Sequence, residues 1–194
     1  MIPGKRVYFL SDFHLGAPDA ASSLAREKRV CAFLHEAAKD AEEIILLGDV
    51  FDFWFEYRHA VPPGYARLLG KLAELYDRGI AVHLFTGNHD MWIRDHLPRM
   101  TGVILHRDPV VREIGGKRFY IAHGDGLGPG DHSYKFVRKL FRSSACQWLF
   151  ARLHPNLGIA FGERWSAHSR KQNHNNDKQW LGPEKEWLVQ YCFD

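Results

Sequence analysis

At 194 residues, 45% hydrophobic and 13% aromatic, the chain can bury a substantial core, which excludes wholesale disorder and suits one domain with an inserted lobe. Its three cysteines, Cys31, Cys146 and Cys192, are odd in number and share no close spacing; this argues against a disulfide framework or a Cys-type zinc site, and the lack of a long apolar run excludes a membrane-spanning helix. The net charge of +3 is unevenly placed: residues 132–180 hold nine Lys/Arg against two Asp/Glu, so the second half suits an anionic partner such as a phosphate, a nucleic acid or an acidic lipid surface.

The N-terminus, MIPGKRVYFLSD, lacks the apolar stretch of a signal peptide, so a reducing, cytoplasmic setting is expected. Arg6–Ser11 reads as a buried strand, rich in β-branched and aromatic residues. Ser22–Asp40 reads as a helix with Ser22 or Ser23 as its N-cap. Glu43–Gly48 is a second strand, Pro63–Arg78 a second helix that Gly79 can end, and Ala81–Phe85 a third strand. Val110–His123 reads as a hairpin turning at Gly115-Gly116. The order β-α-β-α-β predicts a largely parallel sheet with covering helices. From Gly128 the character changes: Tyr134–Phe141 and Cys146–His154 are basic, aromatic and helical in period, separated by breaks at Gly128–Asp131 and His154–Gly158. The expected organisation is a core over 1–127, a helical cap over 128–180, and the start of a return to the core over 181–194.

The polar residues fall where the strands stop. The first strand ends in Asp12 and His14, the second in Asp49 and Asp52, the third in Asn88, His89 and Asp90, and the hairpin in His123 and Asp125. In an open α/β sheet the carboxyl ends of the strands form the ligand edge, so four such ends would converge on one spot. A single D-x-H or G-D is an ordinary turn. Four in order point to a metal site, because two neighbouring divalent ions need hard oxygen ligands and neutral imidazoles with one carboxylate able to bridge. Such a pair polarises a phosphoryl group and activates a water. Asp12 and His14, two apart, can face one ion, and Asp49 is the natural bridge.

These motifs resemble those of the calcineurin-like metallophosphoesterases: Asp12-Phe13-His14, Gly48-Asp49-Val50-Phe51-Asp52, Gly87-Asn88-His89-Asp90 and His123-Gly124-Asp125, over about residues 5–127. The resemblance implies an α/β fold, a metallophosphoesterase β-sandwich with flanking helices and a helical cap insertion. More narrowly, SDFHLG, GDVFDFWFEY, GNHDMW, AHGDGLGPGDHSYKFVRK and the AHSRKQN stretch look like the UDP-2,3-diacylglucosamine diphosphatase family of lipid A synthesis. That likeness implies a hydrolase that cleaves the pyrophosphate of UDP-2,3-diacylglucosamine to UMP and 2,3-diacylglucosamine 1-phosphate. It implies two divalent ions, with Mn²⁺ the expected metal, and a peripheral place at the cytoplasmic face of the inner membrane. Asp12, His14 and Asp49 would hold the first ion; Asp49, Asn88 and His123 the second. His89 and Asn88 would be catalytic, His89 facing the scissile phosphate. Asp131, Tyr134, Ser169 and Asn173 match cap positions that contact the head group, with Arg170 and Lys178 as nearby basic candidates. The family's terminal G-H-x-H, one histidine for each metal, does not occur in the 194 residues, and the chain stops at EWLVQYCFD in what reads as an uncapped helix. A C-terminal portion beyond Asp194 is therefore expected to carry those histidines; His154, His168 and His174 lie in the cap and are not read as ligands.

Two readings of the cap stay open. Val137, Leu140, Phe141, Trp148, Leu149 and Phe150 pack inward under a solvated basic face, or they line a groove for acyl chains beside anionic head groups. Trp54, Phe55 and Tyr57 pack in the core or at the sheet edge, or they stack on a uracil or line the lipid entry. A nucleic-acid surface is not expected, for no recognition motif accompanies the basic residues. Two other functions remain: another metallophosphoesterase, such as a cyclic-nucleotide phosphodiesterase or a nuclease, and a non-catalytic scaffold on the same fold.

Overall fold

Strand formation follows the apolar runs. In the computed structural model, which describes residues 2–127 and 132–175, β1 (Arg6–Leu10), β2 (Ala41–Leu46), β3 (Ala81–Phe85) and a three-residue β4 (Ile104–His106) pair in that order as one parallel sheet. β5 (Val110–Ile114) and β6 (Lys117–Ile121) form the separate antiparallel hairpin, turning at two glycines with positive φ. Period-two alternation sends Ile44 and Leu46 to one face of the sheet and Ile45 and Leu47 to the other. The first face packs against helices α1 (Ala20–Ala37) and α2 (Ala66–Asp77), through Val30, Leu34, Leu68, Leu72 and Leu75. The second meets the hairpin through Ile45, Phe85, Ile114 and Ile121. Arg112 of β5 closes that layer with two 2.9 Å hydrogen bonds to the Glu43 carboxylate of β2. The result is a sheet between helices and a second, smaller sheet.

The helices start where their caps dictate. α1 begins upstream of the expected serines because Asp19 is the N-cap, accepting from the Ser22 amide at 2.8 Å and the Ser22 hydroxyl at 2.7 Å. Ser23 is buried and accepts instead from the Gly16 amide at 2.8 Å. α2 starts at Ala66 rather than Pro63, since Gly64 and Tyr65 both have positive φ. Tyr65 provides no capping side chain. The buried carboxylate of Glu27, on α1, accepts from the Arg67 and Leu68 amides at 2.9 and 3.0 Å and so caps α2 from 40 residues away. Glu56 serves α3 (His96–Thr101) in the same way, through His96 and Leu97. Glu27→Ala strands two amides at a buried helix end and is expected to lower stability by about 2–3 kcal/mol, with Glu27→Gln losing about half of that. Urea denaturation midpoints at unchanged slope are the measurement; equal midpoints for all three proteins would show that Glu27 is no cap.

Beyond the core lie α4 (His132–Arg142), α5 (Ser144–Phe150) and α6 (Pro155–Asn175). Phe150 of α5 joins Phe53, Phe55 and Trp92 in a second apolar cluster, so the cap packs onto the core. Trp54 and Phe55 are 1% exposed. They belong to the interior, which leaves neither free to stack on a base. α6 lies close on the core because of its glycines: a Cβ at Gly162 would come within 2.2 Å of the Phe53 ring, and one at Gly158 within 1.9 Å of the Tyr57 hydroxyl.

Candidate metal centre

The loops after β1 and β2 stay zipped together past the end of the sheet. The Asp12 amide donates to the Gly48 carbonyl at 3.2 Å, His14 to Asp49 at 2.9 Å, Leu15 to Val50 at 3.0 Å, and Asp52 back to Leu15 at 2.8 Å. To follow this path and still aim their side chains together, Asp12, His14 and Asp49 take φ values of 57°, 42° and 51°. Among the described residues only one other non-glycine, Tyr65, has positive φ. Left-handed backbone at non-glycine positions is strained, of order 1–3 kcal/mol each, and collects at functional sites. Arg26 of α1 braces the first loop by donating to the carbonyls of Phe13, His14 and Ala17 at 2.9–3.0 Å.

The third loop is bolted on by Asp90, which is 0% exposed. It accepts from the Gly87 amide of its own loop and from the Val50 amide of the second loop, both at 2.8 Å. Gly48 and Gly87 are glycines because the two loops touch there: a Cβ at Gly48 would be 2.7 Å from the Gly87 nitrogen, and one at Gly87 would be 2.1 Å from Asp49 Oδ1. His123 arrives from the opposite layer. It follows β6 of the hairpin, not a strand of the parallel sheet, and its Nδ1 meets the Leu47 carbonyl at 2.8 Å. Three strand ends of one sheet and one of the facing sheet therefore build the site, where the sequence suggested four ends of a single edge.

Asp49 sits at the middle. The candidate ligand atoms of Asp12, Asp49 and His123 lie within 4.8 Å of one another, as do those of His14, Asp49 and His89. His14 Nε2 is 3.8 Å from Asp12 and 3.7 Å from Asp49; His123 Nε2 is 3.4 Å from Asp49 and 3.3 Å from Asn88 Oδ1. Asp49 also accepts from the His89 amide at 2.9 Å. The donor set of carboxylates, an amide oxygen and imidazoles, with no thiol, fits hard to borderline divalent ions such as Mn²⁺ or Mg²⁺. His14 Nδ1 is buried without a hydrogen-bond partner among the described residues, with Asp52 Oδ1 3.6 Å away. Charges respond accordingly. Burial opposes ionisation of Asp49, but the hydrogen bond and charge of His123, with help from His89, outweigh it and hold the carboxyl below its ordinary range. Burial likewise works against a charge on His123, yet Asp49 and the Leu47 carbonyl push it up to about 9. His89 goes the other way, because its burial outweighs the pull of Asp49. A carboxylate at the centre of three imidazoles attracts a cation, and bound metal would compete with the proton on His123.

The cap closes over this cluster around a cavity of about 840 Å³, bordered by His89, Asn88 and His123 on one side and Phe141, Phe161 and Trp165 on the other. Tyr134 does not point a free hydroxyl at the cavity: it donates to Asp125 Oδ2 at 2.7 Å, and Arg138 pairs with the same oxygen at 2.8 Å. Burial first, then the Asp125 charge, raise the Tyr134 phenol far above its usual range. Asp125 thus ties α4 to the loop that carries His123 instead of joining the metal cluster. Ser169 lines the cavity and Arg170 pairs with the Asp52 carboxylate. Asp131 and Lys178 lie outside the described residues; Asn173 falls in the last turn of α6. Asp90, expected among the converging strand-end residues, joins two loops. Arg26 and Ser166 sit in helices with nothing local in the sequence to mark them.

The family model for calcineurin-like phosphoesterases matches residues 5–188. The chain is 38% identical to a UDP-2,3-diacylglucosamine hydrolase of Porphyromonas gingivalis, over 96% of this chain and 76% of the relative. It is 30% identical to a protein of the same name from Aeromonas salmonicida, over 85% of this chain and 63% of the relative, and 35% identical to one from Neisseria meningitidis, over 77% and 60%. The chain therefore spans between three fifths and three quarters of the length of these relatives.

Proposed function

We propose, for a chain that belongs to the calcineurin-like phosphoesterase family, that it is a dimetal hydrolase cleaving the pyrophosphate of UDP-2,3-diacylglucosamine to UMP and 2,3-diacylglucosamine 1-phosphate. The observation that carries this reading is the carboxylate–imidazole cluster opening into a large cavity walled by cap aromatics, a shape suited to a polar pyrophosphate with an apolar tail. Asp12, His14, Asp49, Asn88 and His123 would hold the ions, which when bound supply charge neutralisation at the phosphoryl oxygens and an activated water. His89 borders the cavity beside this cluster and would face the scissile phosphate as a cation, or carry a proton there. Ser169, Arg170 and Tyr134 of the cap would meet the head group, joined by Asp131, Asn173 and Lys178. Residues 1–127 would form the catalytic core, 128–180 the cap and 181–194 the return to the core.

The outer face of the cap supports a peripheral place on the cytoplasmic face of the inner membrane. Phe136, Trp148, Leu149 and Leu157 are each more than half exposed, and Arg152 lies over the Trp148 ring at 4.4 Å. Exposed apolar side chains on helices rich in Lys and Arg suit an anionic bilayer surface. Among the described residues no helix is long and apolar enough to cross a membrane. The test is Mn²⁺-dependent release of UMP from UDP-2,3-diacylglucosamine by the purified protein, abolished by EDTA and restored by Mn²⁺. Cleavage of a cyclic nucleotide or of RNA with no UMP from the UDP-lipid would move the assignment to another phosphoesterase. Failure to bind metal at all would move it to a scaffold.

A further inference from the structure

Ser166 lies in the middle of α6 and is 4% exposed. A serine inside a helix ordinarily turns its hydroxyl back to the carbonyl one turn earlier. Here the hydroxyl crosses to the core and donates to the Asp52 carbonyl at 2.5 Å, 114 residues upstream. The same oxygen contacts Nδ1 of His89. A serine hydroxyl has one proton, and a carbonyl can only accept, so that proton is used on Asp52. Toward His89 the Ser166 oxygen is therefore an acceptor. The other neighbour of His89 Nδ1, the Asp52 carbonyl at 3.1 Å, also only accepts. Both partners require Nδ1 to carry hydrogen, which leaves the lone pair of the neutral ring on Nε2.

We propose that Ser166 is a positioning residue through which the cap keeps hydrogen on Nδ1 of His89, so that Nε2 is the atom that takes up a further proton and, as part of the imidazolium, meets the phosphate only while α6 is docked. This rests on the reading that His89 faces the substrate. The docking geometry is independent of that reading. Gly158, Gly162 and Ser166 follow at four-residue steps along one side of α6, and the two glycines let the helix approach Tyr57 and Phe53 closely enough for the serine to reach His89. One turn further, Arg170 pairs with the Asp52 carboxylate, so α6 grips both the carbonyl and the side chain of the same residue. A partner that fixes the tautomer and orientation of a working histidine is worth about 10–100-fold.

The test uses the full chain labelled with ¹⁵N-histidine, with the His89 signals assigned by their loss in His89→Gln. Long-range ¹H–¹⁵N spectra of the metal-free protein at mildly alkaline pH report the tautomer without any substrate. Wild type is expected to give the Nδ1–H pattern, and Ser166→Ala a mixture of the two tautomers, because the Asp52 carbonyl left at 3.1 Å is the more distant partner and loses the Ser166 hydroxyl that fixes it. With Mn²⁺, Ser166→Ala is expected to lower kcat about tenfold with KM changed less than about twofold, and Ser166→Thr to recover most of the loss. Turnover is followed on the UDP-lipid and on bis(p-nitrophenyl) phosphate. A wild type that cleaves only the simple diester defeats the substrate assignment, while the tautomer and the variant rates on that diester still decide the role of Ser166. An Nε2–H ring in wild type overturns the proposal. So does Ser166→Ala with an unchanged tautomer, whether or not its rate falls.

Discussion

Asp49→Asn is expected to empty both metal positions and to lower kcat/KM on the order of 10³-fold, in a protein that still folds. The loss is double because Asp49 is the carboxylate shared by both proposed ligand sets, with Asp12 and His14 for one ion and with Asn88 and His123 for the other. An amide has the size of the carboxylate and tolerates positive φ, so the 51° backbone at this position is retained. Its oxygen can still accept from the His89 amide, now 2.9 Å from Asp49 Oδ1. What disappears is the negative charge between three imidazoles, and with it the ability of one group to bridge two cations. Elemental analysis after dialysis into Mn²⁺ gives the stoichiometry, and circular dichroism melting checks the fold. Retention of one ion at wild-type affinity would show that Asp49 serves a single metal and that the shared-ligand geometry is wrong.

The second large effect comes from a residue with no side chain. Gly87→Ala is expected to destabilise the protein by about 2–4 kcal/mol and to abolish metal binding together with it. Gly87 needs no positive φ; its reason is proximity. A methyl group there would sit 2.1 Å from Asp49 Oδ1 and 2.6 Å from the Asp49 nitrogen. A side-chain oxygen can rotate away, but the backbone nitrogen is held in the zipped loops, so the two loops must part. Parting them also breaks the hydrogen bonds through which Asp90 joins Gly87 to Val50. Gly70→Ala is the contrast. It lies inside α2 with open space around the added methyl, and better helix propensity should raise stability by about 1 kcal/mol with metal binding untouched. Denaturant midpoints and Mn²⁺ affinity for the two alanine variants separate close approach from backbone entropy. Equal stabilities would mean that Gly87 is not at a loop contact.

Much of this molecule was legible in one dimension because the relevant signals are local. Apolar runs of five or six residues ending in Asp, Asn or His mark β1, β2 and β3 and the polar loops that follow them, and the paired glycines mark the hairpin. β4 was not legible, since three residues carry no period and its pairing with β3 supplies the only reason for it to be a strand. The helix starts differ from the local signals for a related reason. Serine and proline are good local cap signals, but Asp19 captured α1 first, and α2 is capped by a carboxylate from another helix.

By itself, the order of residues determined which side chains gather at the candidate metal centre from β1, β2 and β3, because strand ends in a parallel sheet share an edge; that His123 joins them from the facing hairpin was a matter of layer packing. Only the tertiary structure decided how they are held. Left-handed backbone at Asp12, His14 and Asp49 exists because two loops continue the hydrogen-bond ladder beyond the sheet. Arg26, Asp90 and Ser166 act across contacts between segments 9 to 114 residues apart. Such contacts follow from the packing of one element on another, and neither partner's local sequence marks the other. The division of labour in the cap has the same origin: α6 meets His89 because two glycines bring it close to Phe53 and Tyr57, and that distance is a property of two surfaces, not of either segment alone.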